Sequence, residues 1–299
     1  MEQNTLEVTE QTEVFAFTSI RDLVNQALQK NFGQDLPLNG LSTGFKALDN
    51  ATGGLQKGQL ITVAVRPGMG KTAFLLSVAN NMAIKNNYSL AIFSAERSNQ
   101  KMTSRIIESE TGMSLNKLKH GPLKASEKDH MHSLLSSIAR ANIFFDDSPT
   151  LTVTELLQRC RQLKFVHHID LIIIDYLELL TTHIADPESR SEQLSNIVKQ
   201  LKDIASELNL PVLLFSQMPN SFPGFVRAER PALKELPVFI SELSDLVVFL
   251  HRGGLSKTNG HSEGKSDVEL VIAKHTDPSK QTVVPLSFIE SISKFVDLS

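Results

Sequence analysis

The chain has 299 residues, 41% hydrophobic and 21% charged, which suits a globular protein with one large core or two small ones. A formal net charge of −3 excludes a broadly basic nucleic-acid-binding surface, though not a local basic strip. No apolar run approaches the roughly 18 residues of a membrane span, residues 1–17 lack the basic-then-apolar layout of a signal peptide, and Cys160 is the single cysteine, so the expected setting is cytoplasmic, with no membrane partner.

Residues 1–17 are rich in Glu, Thr and Gln with little apolar periodicity, and disorder is expected there. Thr18 or Ser19 can cap a helix running to about Lys30, with Ile20, Leu23, Val24, Ala27 and Leu28 on one stripe. That apolar face needs a partner, either its own domain or a neighbouring subunit. From Leu41 onward strands and helices alternate. Strands are expected over 60–65, 89–94, 143–145, 170–175 and 211–216, and helices over 70–85, within 98–140, over 152–164 and over 189–208. Strands near 245–250, 267–274, 282–289 and 294–297 close the chain, and Gly253–Lys265 reads as a loop. The pattern predicts an α/β fold with a largely parallel sheet covered on both faces and antiparallel strands at its C-terminal end.

The stretch Leu60–Phe74, LITVAVRPGMGKTAF, organises this pattern. An apolar β-branched run ends in a Pro/Gly turn, and Gly70-Lys71-Thr72 opens a helix, as a P-loop requires. Backbone N–H groups of Arg66, Pro67, Gly68, Met69, Gly70, Lys71, Thr72 and Ala73 (proline excepted) would face phosphate oxygens at a helix N-terminus. Lys71 would meet the β/γ-phosphates of ATP, and the Thr72 hydroxyl would ligate Mg2+. The strict pattern has glycine where this chain has Val65.

Three further strands run out to polar residues. LIIID ends in Asp175, which can hold Mg2+ beside Thr72 or merely cap a turn. IFSAE ends in Glu96, able to polarise an attacking water or simply to be solvated. VLLFSQ ends in Gln217, which can contact both a γ-phosphate oxygen and a water. Strand C-termini are where open α/β sheets bind ligands. The histidines, including His251, lack metal-ligand spacing, and Cys160 and the phenylalanines read as core residues.

With these residues assembled, the chain resembles the C-terminal, RecA-like ATPase domain of bacterial replicative hexameric helicases of the DnaB type, over residues 18–299. The resemblance rests on LSTGFKALDNATGGLQKGQLITVAVRPGMGKTAF, LAIFSAE, LIIIDYLELL, LNLPVLLFSQ and SDLVVFLHR. That family tolerates a non-glycine at the position of Val65. The resemblance implies ATP and Mg2+ as cofactors, with Lys71 and Thr72 as phosphate and Mg2+ residues and Asp175 as the Walker B acid. It also implies Glu96 as the glutamate that activates water and Gln217 as the γ-phosphate sensor. Residues 18–38 would be a linker segment whose helix docks on the adjacent subunit of a ring, expected to be a hexamer, and 39–299 the ATPase domain.

The chain also departs from that pattern. With residues 1–38 preceding the expected ATPase domain, the family's N-terminal domain is expected to be missing. Where the family carries Lys-x-Arg, with an arginine finger acting in the neighbour's site, this chain has Lys274-His275-Thr276, leaving Lys274 as the trans-acting candidate. Such a finger is worth about 10³–10⁵ in rate in other P-loop enzymes, roughly 4–7 kcal/mol. The family's DNA-gripping pore loop corresponds to the more apolar stretch 232–243 with Pro237, beside which Arg227, Arg230 and Lys234 are candidate contacts to single-stranded DNA. The expected function is therefore an ATP-dependent DNA helicase or translocase. The alternatives are a catalytically weak ATP-binding paralogue that assembles with or regulates a full-length replicative helicase, or another RecA-like ATPase of recombination or repair.

Overall fold

The computed structural model describes residues 20, 38–114, 125–175, 177, 180–181, 190–218, 229–252 and 265–298. The chain divides into two compact units, Met1–Pro37 and Leu38–Ser299. The expected tail, the expected linker helix apart from Ile20, Arg227 and the expected loop from 253 to 264 lie outside the described residues.

In the second unit the strands are β1 (Leu60–Val65), β2 (Leu90–Ser94), β3 (Ile143–Asp146), β4 (Leu151–Thr152), β5 (Leu171–Asp175), β6 (Leu180–Thr181), β7 (Val212–Gln217), β8 (Leu246–His251), β9 (Lys265–Lys274), β10 (Val283–Ile289) and β11 (Lys294–Asp297). Nine of them form one sheet in the order β11-β10-β9-β8-β1-β7-β5-β2-β3, while β4 pairs with β6 separately. From β8 to β3 the pairings are parallel, and β8 to β11 are joined antiparallel. The expected architecture is thus the observed one.

Every residue of β1, β2, β5 and β8 is buried, because helices cover both faces of the sheet. Alternate side chains feed two separate cores, as a period of two requires. Ile61, Val63 and Val65 of β1 join one core with helices α1 (Lys46–Thr52), α2 (Lys71–Asn80, continued by a π turn, Asn81–Lys85) and α3 (Asn99–Thr111). Leu60 and Ala64 join the other, with α5 (Val153–His167), α6 (Arg190–Leu208) and α7 (Val238–Leu243). The remaining helix, α4 (Ala125–Arg140), leans on the first core through Ile138.

Helix α2 is buried along all of its length after Lys71, so it is a core element rather than an amphipathic surface helix. Its Phe74 stacks on Phe45 with ring centroids 5.6 Å apart and meets Phe295 edge-on at 5.4 Å. The C-terminal strand is tied to it again where the Phe295 N–H donates to Ser77 Oγ (2.9 Å). The LSTGFKALD stretch works structurally. Buried Asp49 accepts hydrogen bonds from Ser42 Oγ (2.7 Å), Thr43 N (2.8 Å) and Thr43 Oγ1 (2.7 Å), closing the turn before α1.

One expectation needs correction. The stretch aligned with a pore loop, 232–243, is instead a 3-10 turn (Leu233–Glu235) followed by α7. Pro237 is the N-cap of α7, where its missing N–H costs no helical hydrogen bond. The paired acids Asp146-Asp147 are structural. Asp146 pairs with Arg159, and Asp147 accepts from the N–H of Asn99 (3.0 Å) at the start of α3.

Cys160 is fully buried in the second core, and burial first, then the charge of Asp146, pushes its thiol up to about 12. Native protein at pH 8 is therefore expected to react with an aromatic disulfide reagent at least about 10²-fold more slowly than urea-unfolded protein. Unfolding should release one thiol equivalent; rapid native labelling would place Cys160 outside the core.

Candidate nucleotide site

The site is built by strand order. The crossover from β1 to β2 leaves room for β7 and β5 between them, so the C-terminal ends of four strands converge. Val65 lies beside Gln217, and Ser94 beside Asp175 in register. Residues far apart in sequence thereby line one open cleft of about 390 Å³.

The turn from β1 into α2 is made by Arg66-Pro67-Gly68-Met69-Gly70. Gly70 has φ 99°, and a Cβ there would lie 3.1 Å from the Phe295 ring, so both backbone and packing demand glycine. Arg66, Pro67, Gly68, Gly70, Lys71, Thr72 and Ala73 line the cleft, leaving the first-turn N–H groups of α2 at its wall. Two expected phosphate residues use their side chains elsewhere. Met69 is a core side chain, and only its backbone belongs to the turn. Arg66 is buried and donates to Glu235 Oε2 (2.8 Å) and to the carbonyl of Glu229 (2.9 Å). It ties the loop to the segment that carries Arg230 and Lys234.

At the cleft floor Lys71 Nζ lies 2.7 Å from Asp175 Oδ1 and 2.9 Å from Glu96 Oε2. One ammonium thus bridges Asp175, the last residue of β5, and Glu96, two residues past the end of β2. The Asp175 carboxylate is wholly buried; Ser94 Oγ donates to its Oδ2 (3.3 Å), while Oδ1 is met by the Lys71 charge without a directed hydrogen bond. The buried Asp175 carboxylate beside Lys71 and the hydroxyl of Thr72, the next residue in sequence, are oxygen donors of the kind that fits Mg2+. Gln217 is exposed at the end of β7 and lines the same cleft.

Sequence reasoning missed Arg97 and Arg105. Arg97 follows Glu96 and donates from Nε to Thr72 Oγ1 (3.3 Å), with Nη2 3.8 Å from Glu96 Oε1. Arg105, on α3, also lines the cleft. Its pKa is lowered by burial first and by the charge of Arg97 second, against the opposing pull of Glu108 and Glu96. The signal was available in Arg97, which adjoins a strand-end acid, and in the eight-residue spacing to Arg105. Arg252 lines the cleft too, held by Ser266 Oγ (3.0 Å) and Glu290 Oε1 (2.9 Å).

The remaining candidates lie elsewhere in the chain. Lys274 pairs in register with Val247 at the start of β8, the sheet end opposite the P-loop. Its Nζ donates to the carbonyls of Ser241 (2.7 Å) and Glu242 (2.9 Å) at the C-terminus of α7. Arg230 is exposed and paired through two 2.7 Å hydrogen bonds with Glu269, and Lys234 is exposed on the 3-10 turn.

A glycine turn between a buried parallel strand and a core helix, with lysine, threonine and two strand-end acids around one cleft, defines a P-loop domain of RecA-like α/β architecture. The chain belongs to the DnaB-like helicase C terminal domain family, whose profile matches residues 40–297. It is 34% identical over 298 residues to the replicative DNA helicase DnaB of Geobacillus stearothermophilus, a match covering 98% of this chain and 65% of that helicase. To the replicative DNA helicase DnaC of Bacillus subtilis (strain 168) it is 32% identical over 302 residues, covering 99% and 66%. The chain thus spans just under two thirds of the length of these relatives. The solved ATPase domain of G40P superposes with a TM-score of 0.81 at 28% identity, covering 95% of this chain and all of that one. A DnaB-like replicative helicase, solved in a study of its interactions with primase, gives 0.80 at 28% identity, covering 95% and 68%.

Proposed function

We propose that this chain is an ATP-dependent DNA helicase or translocase of the DnaB type, acting in DNA replication as a ring of subunits, with a hexamer the expected closure. The observation that carries this reading is the Lys71 bridge between Asp175 and Glu96 at the P-loop. Thr72 and Asp175 would hold Mg2+, which neutralises charge on the phosphates. Entry of a polyphosphate gives Lys71 a stronger anionic partner, which releases Glu96 to take a proton from the attacking water. Gln217, which lines the cleft, would sense the γ-phosphate, and Lys274 is the candidate that acts on the neighbouring subunit. Arg66 joins the phosphate loop to the segment of Arg230 and Lys234, a physical route between nucleotide state and contacts to single-stranded DNA. In this scheme residues 1–17 are a tail, 18–38 a linker that docks on the adjacent subunit, and 39–299 the motor domain, working in the cytoplasm. No helix among the described residues is long and apolar enough to cross a membrane.

The test is ATP turnover with Mg2+, with and without single-stranded DNA. Stimulation by DNA is expected, falling as salt rises because phosphate contacts release counterions. A second reading is favoured by Thr276 at the finger position and by the tethering of Lys274 and Arg230 to α7 and Glu269. On that reading the chain is an ATP-binding partner of a full-length replicative helicase. Tight ATP binding without turnover, with or without DNA, would select it.

A further inference from the structure

Arg66, Lys71, Arg97, Arg105 and Arg252 line the cleft, and two of these arginines are committed by contacts beyond it. Arg66 holds Glu235 and the Glu229 carbonyl. Arg252 holds Glu290 and Ser266 and lies over the Phe288 ring at 4.8 Å. Arg97 differs, because the contacts it makes at 3.3 Å and 3.8 Å are with Thr72 and Glu96, two residues of the site itself. Its backbone is well anchored between β2 and α3, where Ser98 is the N-cap and the next N–H is held by Asp147. Its side chain is 31% exposed toward the cleft, so the guanidinium can turn toward an entering anion.

Building on the nucleotide reading above, we propose that Arg97 is a catalytic residue acting in cis, its guanidinium moving from Thr72 to the γ-phosphate oxygens and supplying from within the chain the positive charge that Thr276 does not. The Thr72 hydroxyl cannot serve both a bound Mg2+ and Arg97, since two cations at one oxygen repel. Displaced from Thr72, the guanidinium finds its nearest new anion in the phosphate held beside that hydroxyl. In the step itself Glu96 accepts a proton from water as the water oxygen bonds to the γ-phosphorus. The bond from the γ-phosphorus to the bridging oxygen breaks, and its electron pair leaves on ADP. Arg97 donates N–H groups to the γ-oxygens while charge is spread over them, the role an arginine plays in cis in other P-loop enzymes. Arg105, on α3, lines the same cleft and feels the charge of Arg97, so an anion near both relieves their repulsion.

The test compares wild type, Arg97→Ala and Arg97→Lys in the full chain by ATP turnover and by calorimetric affinity for Mg–ADP with and without aluminium fluoride, a mimic of the transferring phosphoryl group. Arg97→Ala is expected to lose at least about 10²-fold in turnover while Mg–ADP affinity stays within about threefold. The extra affinity conferred by aluminium fluoride should vanish, and Arg97→Lys should recover part of both. Turnover within about threefold of wild type, or a parallel fall in both affinities, overturns the proposal. If wild type binds Mg–ADP no better than Lys71→Ala, the nucleotide reading itself fails and this proposal with it. If wild type binds Mg–ADP yet neither turns over ATP nor tightens with aluminium fluoride, the role of Arg97 is overturned while the nucleotide site stands.

Discussion

Lys71→Ala is expected to abolish measurable ATP turnover and also to destabilise the nucleotide-free protein. The two losses have different origins. Turnover fails because the point charge facing the β/γ-phosphates is gone. Stability falls because the Asp175 carboxylate, wholly buried, loses the ammonium 2.7 Å away. Breaking a buried pair by removing one partner costs about 3–5 kcal/mol, whereas removing both can be nearly neutral. The double variant Lys71→Ala/Asp175→Asn should therefore regain most of the lost stability in urea unfolding and none of the turnover. If the single variant unfolds at the wild-type urea concentration, the Lys71–Asp175 pair is not what holds the empty site together. If it hydrolyses ATP at the wild-type rate, Lys71 is not the phosphate lysine.

The same ammonium has a second partner, and there the balance reverses. Glu96 is about a third exposed, so its pair with Lys71 is solvent-screened and contributes little to stability. Glu96→Gln should change unfolding stability by no more than about 0.5 kcal/mol. In turnover it should lose about 10²–10⁴-fold, the usual worth of a positioned general base. Nucleotide affinity should hold or rise, because one of the two carboxylates competing with phosphate for Lys71 is removed. Equal turnover in the variant would assign water activation to another group. A collapse in nucleotide affinity would mean that Glu96 acts in binding rather than in chemistry.

These two substitutions separate what burial and exposure do to one ion-pair network. They also bear on the arginine question. In wild type the cleft places Arg97 against Thr72 and Glu96, so Glu96→Gln should loosen Arg97 as well as Lys71. Because of this coupling, the Arg97 variants need to be measured singly before any combination with Glu96→Gln, since contacting residues are not additive.

Local sequence was enough for the strands and for the glycine turn between β1 and α2. LITVAV followed by RPGMGKT is legible because a buried parallel strand needs a continuous apolar run and a phosphate-facing helix start needs glycine before lysine. The strand-end acids Glu96 and Asp175 and the terminal Gln217 were legible for a similar reason, since each closes an apolar run. The role of 232–243 was not, because Pro237 reads equally as a loop breaker and as a helix N-cap. Only the packing of Ile240 into the second core decides for the helix. Arg66 was legible as part of the loop but not as the residue that grips Glu235, a partner 169 positions away.

By itself, then, the sequence determined the fold class, the glycine turn that opens α2 and where the central strands end, because period-two burial and turn chemistry act over a few residues. The tertiary structure decided which of those ends meet. Strand order alone places Asp175 and Glu96 on one lysine, Arg97 on Thr72, and Lys274 at the far end of the sheet. Those contacts depend on crossovers that bring distant segments side by side, and no local pattern in the chain encodes the distance between them.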